Sequence, residues 1–348
     1  MVKTVRPDSL SALTSRIFQA CDTAPEDADR VAALLVAASV RGLDSHGVFR
    51  IPQYVGRIRE GTIRPGATIE VVRETTVTAL LDLNWNFGQL GALRATETAI
   101  DKARAHGMGC AVLRRSHHVG CIGLYTEMAA RAGMIAMAAA SGGSASGHWV
   151  APWGGREGRI GTNPISCAAP TSGEPILFDV ATSALSEGKV RLARDTGAQL
   201  PEFCLVDGAG KPSRDPADLY GPPAGAILPV GGDFGYKGYG FSLMAQMMST
   251  LLSGATVERM GEESNNFWIM AIDIEAFIPA DEFRRDMDAF IEYQKSSQAT
   301  QGSSQVIIPG ERDFAMQRQR EAAGIPLPDE IWSQIEELTK ELNVSTDG

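Results

Sequence analysis

No Gly-x-Gly-x-x-Gly occurs anywhere in the 348 residues, and that absence narrows the possible folds more than any motif present. The fingerprint serves a tight turn and the close approach of a pyrophosphate to a helix N-terminus. A chain without it has no sequence support for the standard dinucleotide-binding fold. There is also no P-loop, no H-E-x-x-H and no G-x-S-x-G. The chain does have glycine-dense loops beside expected helix starts, a general architecture for holding anions.

Periodicity supplies the elements. Thr23-Ala-Pro-Glu-Asp predicts a helix start with Thr23 as N-cap, running through Val31–Val40 and stopping near Gly42. A second helix is expected from about Asp44 to Arg59, ending at Gly61. Strand character at Ile69–Val72 and Thr76–Leu81 precedes a helix from Gly88 to Ala105 that stops near Gly107. Then come a strand (Cys110–Leu113), a loop, a helix (Leu124–Ala132) and a strand (Met134–Ala139). The Gly/Ser/Pro-rich tract Ser141–Pro164 has no period, and tracts that long are usually functional. Strands are expected at Ile165–Ala169 and Ile176–Val180. A glycine-dense loop, Gly231–Gly240, leads into the helix Phe241–Leu252. Further on are the strand Phe267–Ile274, the helix Asp281–Gln294, the strand Gln305–Ile308 and a last helix, Asp329–Leu342. The reading is mixed α/β, with helices concentrated at both ends.

A net charge of -10 argues against nucleic acid or a membrane surface as a general partner, since both are polyanions. An acidic chain binds an anionic substrate only through local Arg or Lys. Five cysteines without a C-x-x-C favour free thiols in a reducing compartment. The N-terminus lacks the apolar block of a signal peptide, and the apolar run Val31–Val40 is about half a membrane span. A cytoplasmic protein is expected.

Four groups of residues stand out chemically. In Asp44-Ser45-His46-Gly47-Val48-Phe49-Arg50, a helix would set His46 and Arg50 on one face, four residues apart. That pair suits a carbonyl acid: the Arg fork grips a carboxylate, the imidazole protonates the neighbouring oxygen, and Ser45 can orient the ring. The same residues also suit a surface helix start capped by Asp44 or Ser45, with Arg50 solvated. Arg114-Arg115-Ser116-His117-His118-Val119-Gly120-Cys121-Ile122-Gly123 joins a strand to a helix and would present amides to an anion. The adjacent histidines point apart and have no third ligand at a metal-like interval, so no metal is expected. Gly161-Thr-Asn-Pro, Phe178-Asp-Val-Ala-Thr-Ser183 and the loop around Lys237 suit ligand binding or ordinary capping and turns equally well.

Taken in order, these segments resemble the type-2 malate/L-lactate dehydrogenase family, which also includes sulfolactate, ureidoglycolate and diketogulonate dehydrogenases and cyclic-imine reductases. The resemblance rests on Arg41-Gly-Leu-Asp-Ser-His-Gly47 with Arg50, Ser116-His-His-Val-Gly120, Ala151-Pro-Trp-Gly-Gly155, Gly161-Thr-Asn-Pro164, Phe178–Ser183, Gly188-Lys189, Lys237-Gly-Tyr-Gly240 and Pro309-Gly-Glu311. It implies a non-Rossmann NAD(P)-binding α/β fold with a mostly antiparallel central sheet and helical regions from both termini, in an intertwined homodimer. It implies a helical, substrate-binding part from residues 1–115 with 310–348, and a cofactor-binding and connecting part from 116–309. Activity would be hydride transfer between NAD or NADP and a small 2-oxo or 2-hydroxy acid. By the same resemblance His46 is the general acid with Ser45 in its relay, His118 is catalytic or cofactor-contacting, and Arg50, Thr162 and Lys189 hold substrate. His118, Val119, Gly120, Cys121, Ile122, Ser141, Asp179, Ala181, Thr182, Lys237, Pro309, Gly310 and Glu311 fall where the family holds cofactor. The chain departs from the pattern at His117 and Val119, where relatives carry Asn and an aromatic. The doubled histidine is similar to the imine reductases, whereas Gly188-Lys189 is similar to the hydroxy-acid branch. An NADPH-dependent cyclic-imine reductase is therefore the second reading, and a non-catalytic ligand-binding protein on the same fold is a distant third.

Overall fold

The computed structural model describes residues 2–142, 147–255 and 264–345. Residues 143–146 of the Gly/Ser/Pro tract lie outside the described residues. In chain order come β1 (Val2–Val5), α1 (Pro7–Gln19), α2 (Pro25–Val40), 3-10 turns at Asp44–His46 and Val48–Arg50, and α3 (Ile51–Arg59). Next are β2 (Glu70–Glu74), β3 (Thr78–Asp82), α4 (Gly88–His106), β4 (Met108–Arg114), α5 (Gly123–Arg131), β5 (Met134–Gly142), β6 (Ile165–Ala169), β7 (Ile176–Val180) and α6 (Glu187–Thr196). Short strands β8 (Leu205–Val206), β9 (Pro212–Ser213) and β10 (Ala226–Ile227) precede α7 (Gly235–Ala245), which runs into a π-helical turn, Gln246–Leu251. The chain closes with β11 (Asn265–Asp273), α8 (Ala280–Lys295), α9 (Glu311–Ala323), β12 (Ile325–Pro328) and α10 (Asp329–Glu341).

The central sheet has seven strands in the order β2-β3-β4-β11-β5-β6-β7. Only β3–β4 is parallel, so the sheet is mostly antiparallel, as expected. It draws strands from both sides of residue 115. One face is covered by α4 and α5, and the core there is built from Ala92, Ala95, Ala99 and Ala103 against Ala111, Leu113, Ala136, Ala138, Phe267 and Ile269. Small residues let the helix lie close: a Cβ at Gly109 would sit 2.1 Å from Ala99 O. The other face carries Val112, Ala139 and Trp268 under Ala245 and Met248. Met108, Met137, Phe178 and Val180 remain exposed on that face. A second core joins α1, α2, α3 and α10 with Ile325 and Leu327 of β12. A third, smaller one gathers Val150, Ile160, Val190, Leu205 and Ile227 around the β8–β10 sheet. No helix of the described residues is long and apolar enough to cross a membrane.

Four local expectations need correction. The Asp44–Arg59 helix is broken: Gly47 is extended between two 3-10 turns, and Pro52, lacking an N–H, starts α3 afresh. Ala24, not Thr23, is the N-cap of α2, because Pro25 sets the first turn, and Thr23 is buried beneath it. Residues 305–308 form no strand. Helix α7 starts inside the glycine-dense segment, so Lys237 lies on its first turn rather than in a loop.

Candidate functional site

The turn at residues 44–50 is held against α2 from one side and α9 from the other. Val48 N donates to Ser39 Oγ at 3.0 Å, and Gly47 packs so tightly on α2 that a Cβ would stand 2.0 Å from Ser39 Oγ. Arg320 on α9 donates to both oxygens of Asp44 at 2.6 and 3.1 Å and also to Ser39 O. Within this frame Ser45 Oγ and His46 Nδ1 are 3.0 Å apart, leaving Nε2 as the working nitrogen. Arg50 donates through Nε to Ser45 O and through Nη1 to Gln53 Oε1, each at 2.7 Å. Those bonds fix one edge of the guanidinium and leave further N–H donors for a ligand.

His118 comes to the same place from the β4–α5 loop. Its ring stacks on that of His46, with centroids 5.3 Å apart and planes 29° apart. Tyr54 OH lies 2.7 Å from His118 Nδ1 and accepts from Gln89 Nε2 at 2.7 Å. A hydroxyl that accepts from Gln89 has its single proton left for Nδ1, so the proton of a neutral His118 sits on Nε2. Burial first, and then the Arg50 charge, holds His46 down at about 4. His118 lies well below the usual range for burial, Arg50 and His46, in that order. Both rings are therefore neutral near pH 7. Burial pushes Tyr54 up to about 12, keeping its hydroxyl protonated. His117 turns the other way: its Nε2 is 2.6 Å from Thr62 O, and its ring tilts against Trp85. Among the described residues no group of three or more His, Cys, Asp or Glu could hold a metal ion.

The other expected residues form separate units. Val119 N donates to Asn265 Oδ1 at 3.1 Å, Gly120 takes φ +81, and Ile122 is buried against α5. Asp179 Oδ2 accepts from Gly123 N at 2.7 Å and from Cys121 Sγ at 3.3 Å, so the chain's own carboxylate sits at the N-terminus of α5. Burial raises Asp179 to about 6. Pro309 O accepts from Leu177 N on β7, Gly310 takes φ +96 beside it, and Glu311 pairs with Lys295. Thr182 staples the Gly-Thr-Asn-Pro turn through its N to Thr162 O at 3.0 Å and its Oγ1 to Asn163 O at 2.9 Å, with Ala181 half-buried alongside. Ser141 is buried, its hydroxyl bonded to Ser249 and Thr250 of the π-helical turn. Lys189 and Lys237 are exposed, Lys237 lying beside the Phe234 and Tyr236 rings. The α6 charges that act on Arg50 are Arg191 and Glu187. Sequence reasoning missed Gln53 and Tyr54, although they stand three and four residues after Arg50, the spacing that places side chains on one helix face. It also missed Gln89 and Arg320, for which no local signal exists.

The site thus sets two neutral imidazoles beside an arginine that keeps guanidinium donors, on a non-Rossmann α/β fold. The chain matches the malate/L-lactate dehydrogenase family model over residues 5–336, and it belongs to that family as a 2-hydroxyacid dehydrogenase of the malate/lactate type. It is 37% identical to a malate dehydrogenase of Pyrococcus abyssi over 97% of this chain and 94% of that one. It is 36% identical to an L-sulfolactate dehydrogenase of Methanothermobacter thermautotrophicus, covering 98% of each. Among solved structures, malate dehydrogenase from Entamoeba histolytica superposes with a TM-score of 0.93 at 29% identity, covering 99% of each chain. The delta1-piperideine-2-carboxylate reductase of Pseudomonas syringae superposes at 0.84 with 29% identity, covering 97% of this chain and 99% of that one. The family implies a nicotinamide cofactor.

Proposed function

We propose that this chain interconverts a small 2-oxo acid and its 2-hydroxy acid, with NAD or NADP as redox partner, at the His46–Arg50–His118 cluster. One observation carries the reading: a neutral His46, held at Nδ1 by Ser45, stands beside Arg50, which keeps guanidinium donors for a ligand. Arg50 holds the substrate carboxylate. His46 Nε2 takes the proton from the 2-hydroxyl in one direction and returns it to the 2-oxo oxygen in the other. A carboxylate on Arg50 offsets the positive field that depresses His46, so bound substrate raises the imidazole toward the pH at which it can carry a proton. His118, its tautomer set by Tyr54, stacks on one face of the imidazole. The nicotinamide, when bound, supplies or accepts the hydride.

The residues present fit such a group. Asn163 Oδ1 is buried without a partner among the described residues, and a Cβ at Gly161 would reach within 3.0 Å of it, 3.6 Å of Gly147 O and 3.8 Å of Gly142 N. An unmet acceptor beside glycine backbone, with no side chain at Gly161 in its way, suits a carboxamide N–H. The loop Val119–Ile122, with Gly120 at positive φ, and the stapled Thr162–Thr182 turn form its sides in this reading, and Asp179 shapes that loop through Cys121 and Gly123. Residues 1–115 with 310–348 supply the substrate side and 116–309 the cofactor side. A second copy of this chain covers the open apolar face of the sheet, where Met108, Met137, Phe178 and Val180 are exposed, along with Phe241 and Met247. Five free thiols support a cytoplasmic setting.

The test is oxidation of NADH and NADPH with a panel of 2-oxo acids and cyclic 2-imino acids. Turnover of 2-oxo acids is expected. Turnover of the cyclic imines alone would move the assignment to the imine-reductase branch. Cofactor binding with no turnover across the panel would leave a binding protein.

A further inference from the structure

Two stacked histidines stand in the site, and the hydroxyls behind them differ in what they permit. Ser45 Oγ has His46 Nδ1, at 3.0 Å, as its one hydrogen-bond partner among the described residues. Ser45 is exposed, so its hydroxyl can turn either to give or to accept. His46 can therefore gain or release a proton at Nε2 while Nδ1 stays bonded.

Tyr54 OH has no such freedom. It lies 2.7 Å from His118 Nδ1, 3.4 Å from His118 O and 2.7 Å from Gln89 Nε2, and the last of these is a donor. With an N–H already aimed at its oxygen, the phenol sends its proton to the nearer acceptor, Nδ1. A proton on Nδ1 itself would press a second donor onto the same oxygen. His118 Nε2 has no partner among the described residues, and its ring lines the cleft beside α3.

Gln89 is built into this place. It is 1% exposed on the first turn of α4. A Cβ at the preceding Gly88 would stand 2.2 Å from His117 O and 2.5 Å from His118 O, so the helix begins directly on the backbone of the histidine loop. Gln89 Oε1 is buried without a partner among the described residues. Turning the amide over would give that oxygen the Tyr54 proton but strand the amide N–H groups, and orphaned N–H donors are rarer than under-satisfied carbonyls. The fold leaves an acceptor unmet and keeps the donor on Tyr54.

We propose that Gln89 is a positioning residue: acting through Tyr54, it holds His118 as a fixed Nε2–H donor to the oxygen on C2 of the substrate. The proposal rests on the reading of the His46–Arg50–His118 cluster as the reacting centre. Gln89→Met removes the N–H and keeps the bulk. Tyr54 then does best by accepting from His118 Nδ1–H and donating to His118 O, one hydrogen bond more than the present tautomer would keep, which favours the reversed tautomer roughly fivefold. Nε2 is bare in most molecules, so kcat falls roughly fivefold while KM changes little. In a Tyr54→Phe background the same substitution changes kcat no further, because the hydroxyl that transmits it is gone.

The tautomer is read directly, in protein free of substrate and cofactor, by NMR of the 15N-labelled imidazoles, of which the chain has five, with His118→Gln identifying the signal. Wild type shows Nε2–H, and Gln89→Met, checked for folding by circular dichroism, shows mainly Nδ1–H. Nδ1–H in the wild type overturns the proposal without any variant, and so does one tautomer shared by both proteins. A kcat loss that adds to that of Tyr54→Phe marks lost packing and overturns it too, as does a reversed tautomer with unchanged kcat. Absence of turnover with every 2-oxo acid instead removes the reading of the reaction, while the tautomers, measured without substrate, still decide whether Gln89 sets His118.

Discussion

Gly47→Ala tests whether the reacting turn depends on its contact with α2. The added methyl would stand 2.0 Å from Ser39 Oγ, 2.9 Å from Ser39 N and 3.0 Å from Leu35 O. The last two are helix backbone and cannot swing aside, so the 3-10 turns must lift from α2, taking His46 and Arg50 with them. Overpacking of this kind costs about 1–3 kcal/mol, and the two backbone contacts put this case at the upper end. At ~2.1 cal/mol/K of unfolding entropy per residue, 3 kcal/mol lowers Tm by roughly 4 °C for a chain of this length. An ångström of displacement at a reacting centre costs roughly a hundredfold, so kcat/KM should fall further than stability alone would suggest. A double-mutant cycle sharpens the test. Ser39→Ala alone removes the acceptor for Val48 N, costing about 1 kcal/mol. The Ser39→Ala/Gly47→Ala pair relieves the 2.0 Å clash but not the two backbone contacts, so it recovers only part of the loss. Calorimetry and steady-state kinetics on the four proteins give the answer. Wild-type Tm and kcat/KM in Gly47→Ala would refute the argument that this contact positions the turn.

Arg50→Ala removes the carboxylate clamp and should lower kcat/KM by about two to three decades, chiefly through KM; normal kinetics would take Arg50 out of the site. With His46 depressed to about 4 in the free enzyme, kcat/KM for hydroxy-acid oxidation should hold its plateau well below the usual imidazole range and lose it only on approach to pH 4, whereas a limb near 6.5 would contradict the burial and Arg50 field inferred here. The same depression means that the unfolded chain binds this proton first as pH falls. The stabilising contribution is thus complete above about 6.5 and lost as pH drops toward 4, a slope that His46→Gln should remove from a Tm-against-pH series. Asp179 runs the opposite way. Raised from 3.8 to about 6, it favours the folded state at low pH and loses that contribution as pH rises through this window, so Asp179→Asn, which still accepts from Gly123, should match wild type only below about pH 3.8 and gain on it progressively from there to pH 7.

The sequence revealed elements whose signal is local. Helix α4 was legible from its alanine periodicity and from Gly107, which closes it at φ +85, and β4, α5 and β5 from alternation and glycine stops. The pairing of β1 with β12 was not, because Val2–Val5 meets Ile325–Pro328 across almost the whole chain and four residues carry little pattern. Helix α9 was hidden for a different reason: of its 13 residues only Phe314 is buried, so no apolar stripe marks it. Its consequence for the site, the Arg320–Asp44 pair, was invisible with it. His46 and Arg50 were legible from four-residue spacing, yet they meet through two 3-10 turns rather than a continuous helix. The Gln89–Tyr54–His118 chain joins three distant segments, and such a chain has no signature in a single sequence.

The loop before α5 carries a lesson about glycine-rich helix entrances. Amides at a helix start attract anions, and that argument made residues 118–123 an expected phosphate or carboxylate site. The anion at Gly123 N is in fact Asp179 of the same chain. Within such a pocket the helix dipole and two donors act against desolvation, and desolvation wins, leaving the carboxyl near 6 rather than below 4. The helix start thus serves as an internal latch between α5 and β7, and a phosphate there would have to displace a carboxylate that the fold already encloses. Across the sheet, by contrast, Asn163 Oδ1, Ser242 Oγ and Gln246 Nε2 cluster as three of the buried atoms without partners among the described residues. Gln246 opens the π-helical turn, an irregularity frequent at functional positions in helices. Three of the unpartnered buried polar atoms of this fold therefore gather beside the Gly-Thr-Asn-Pro turn, while the helix N-terminus is already occupied by Asp179.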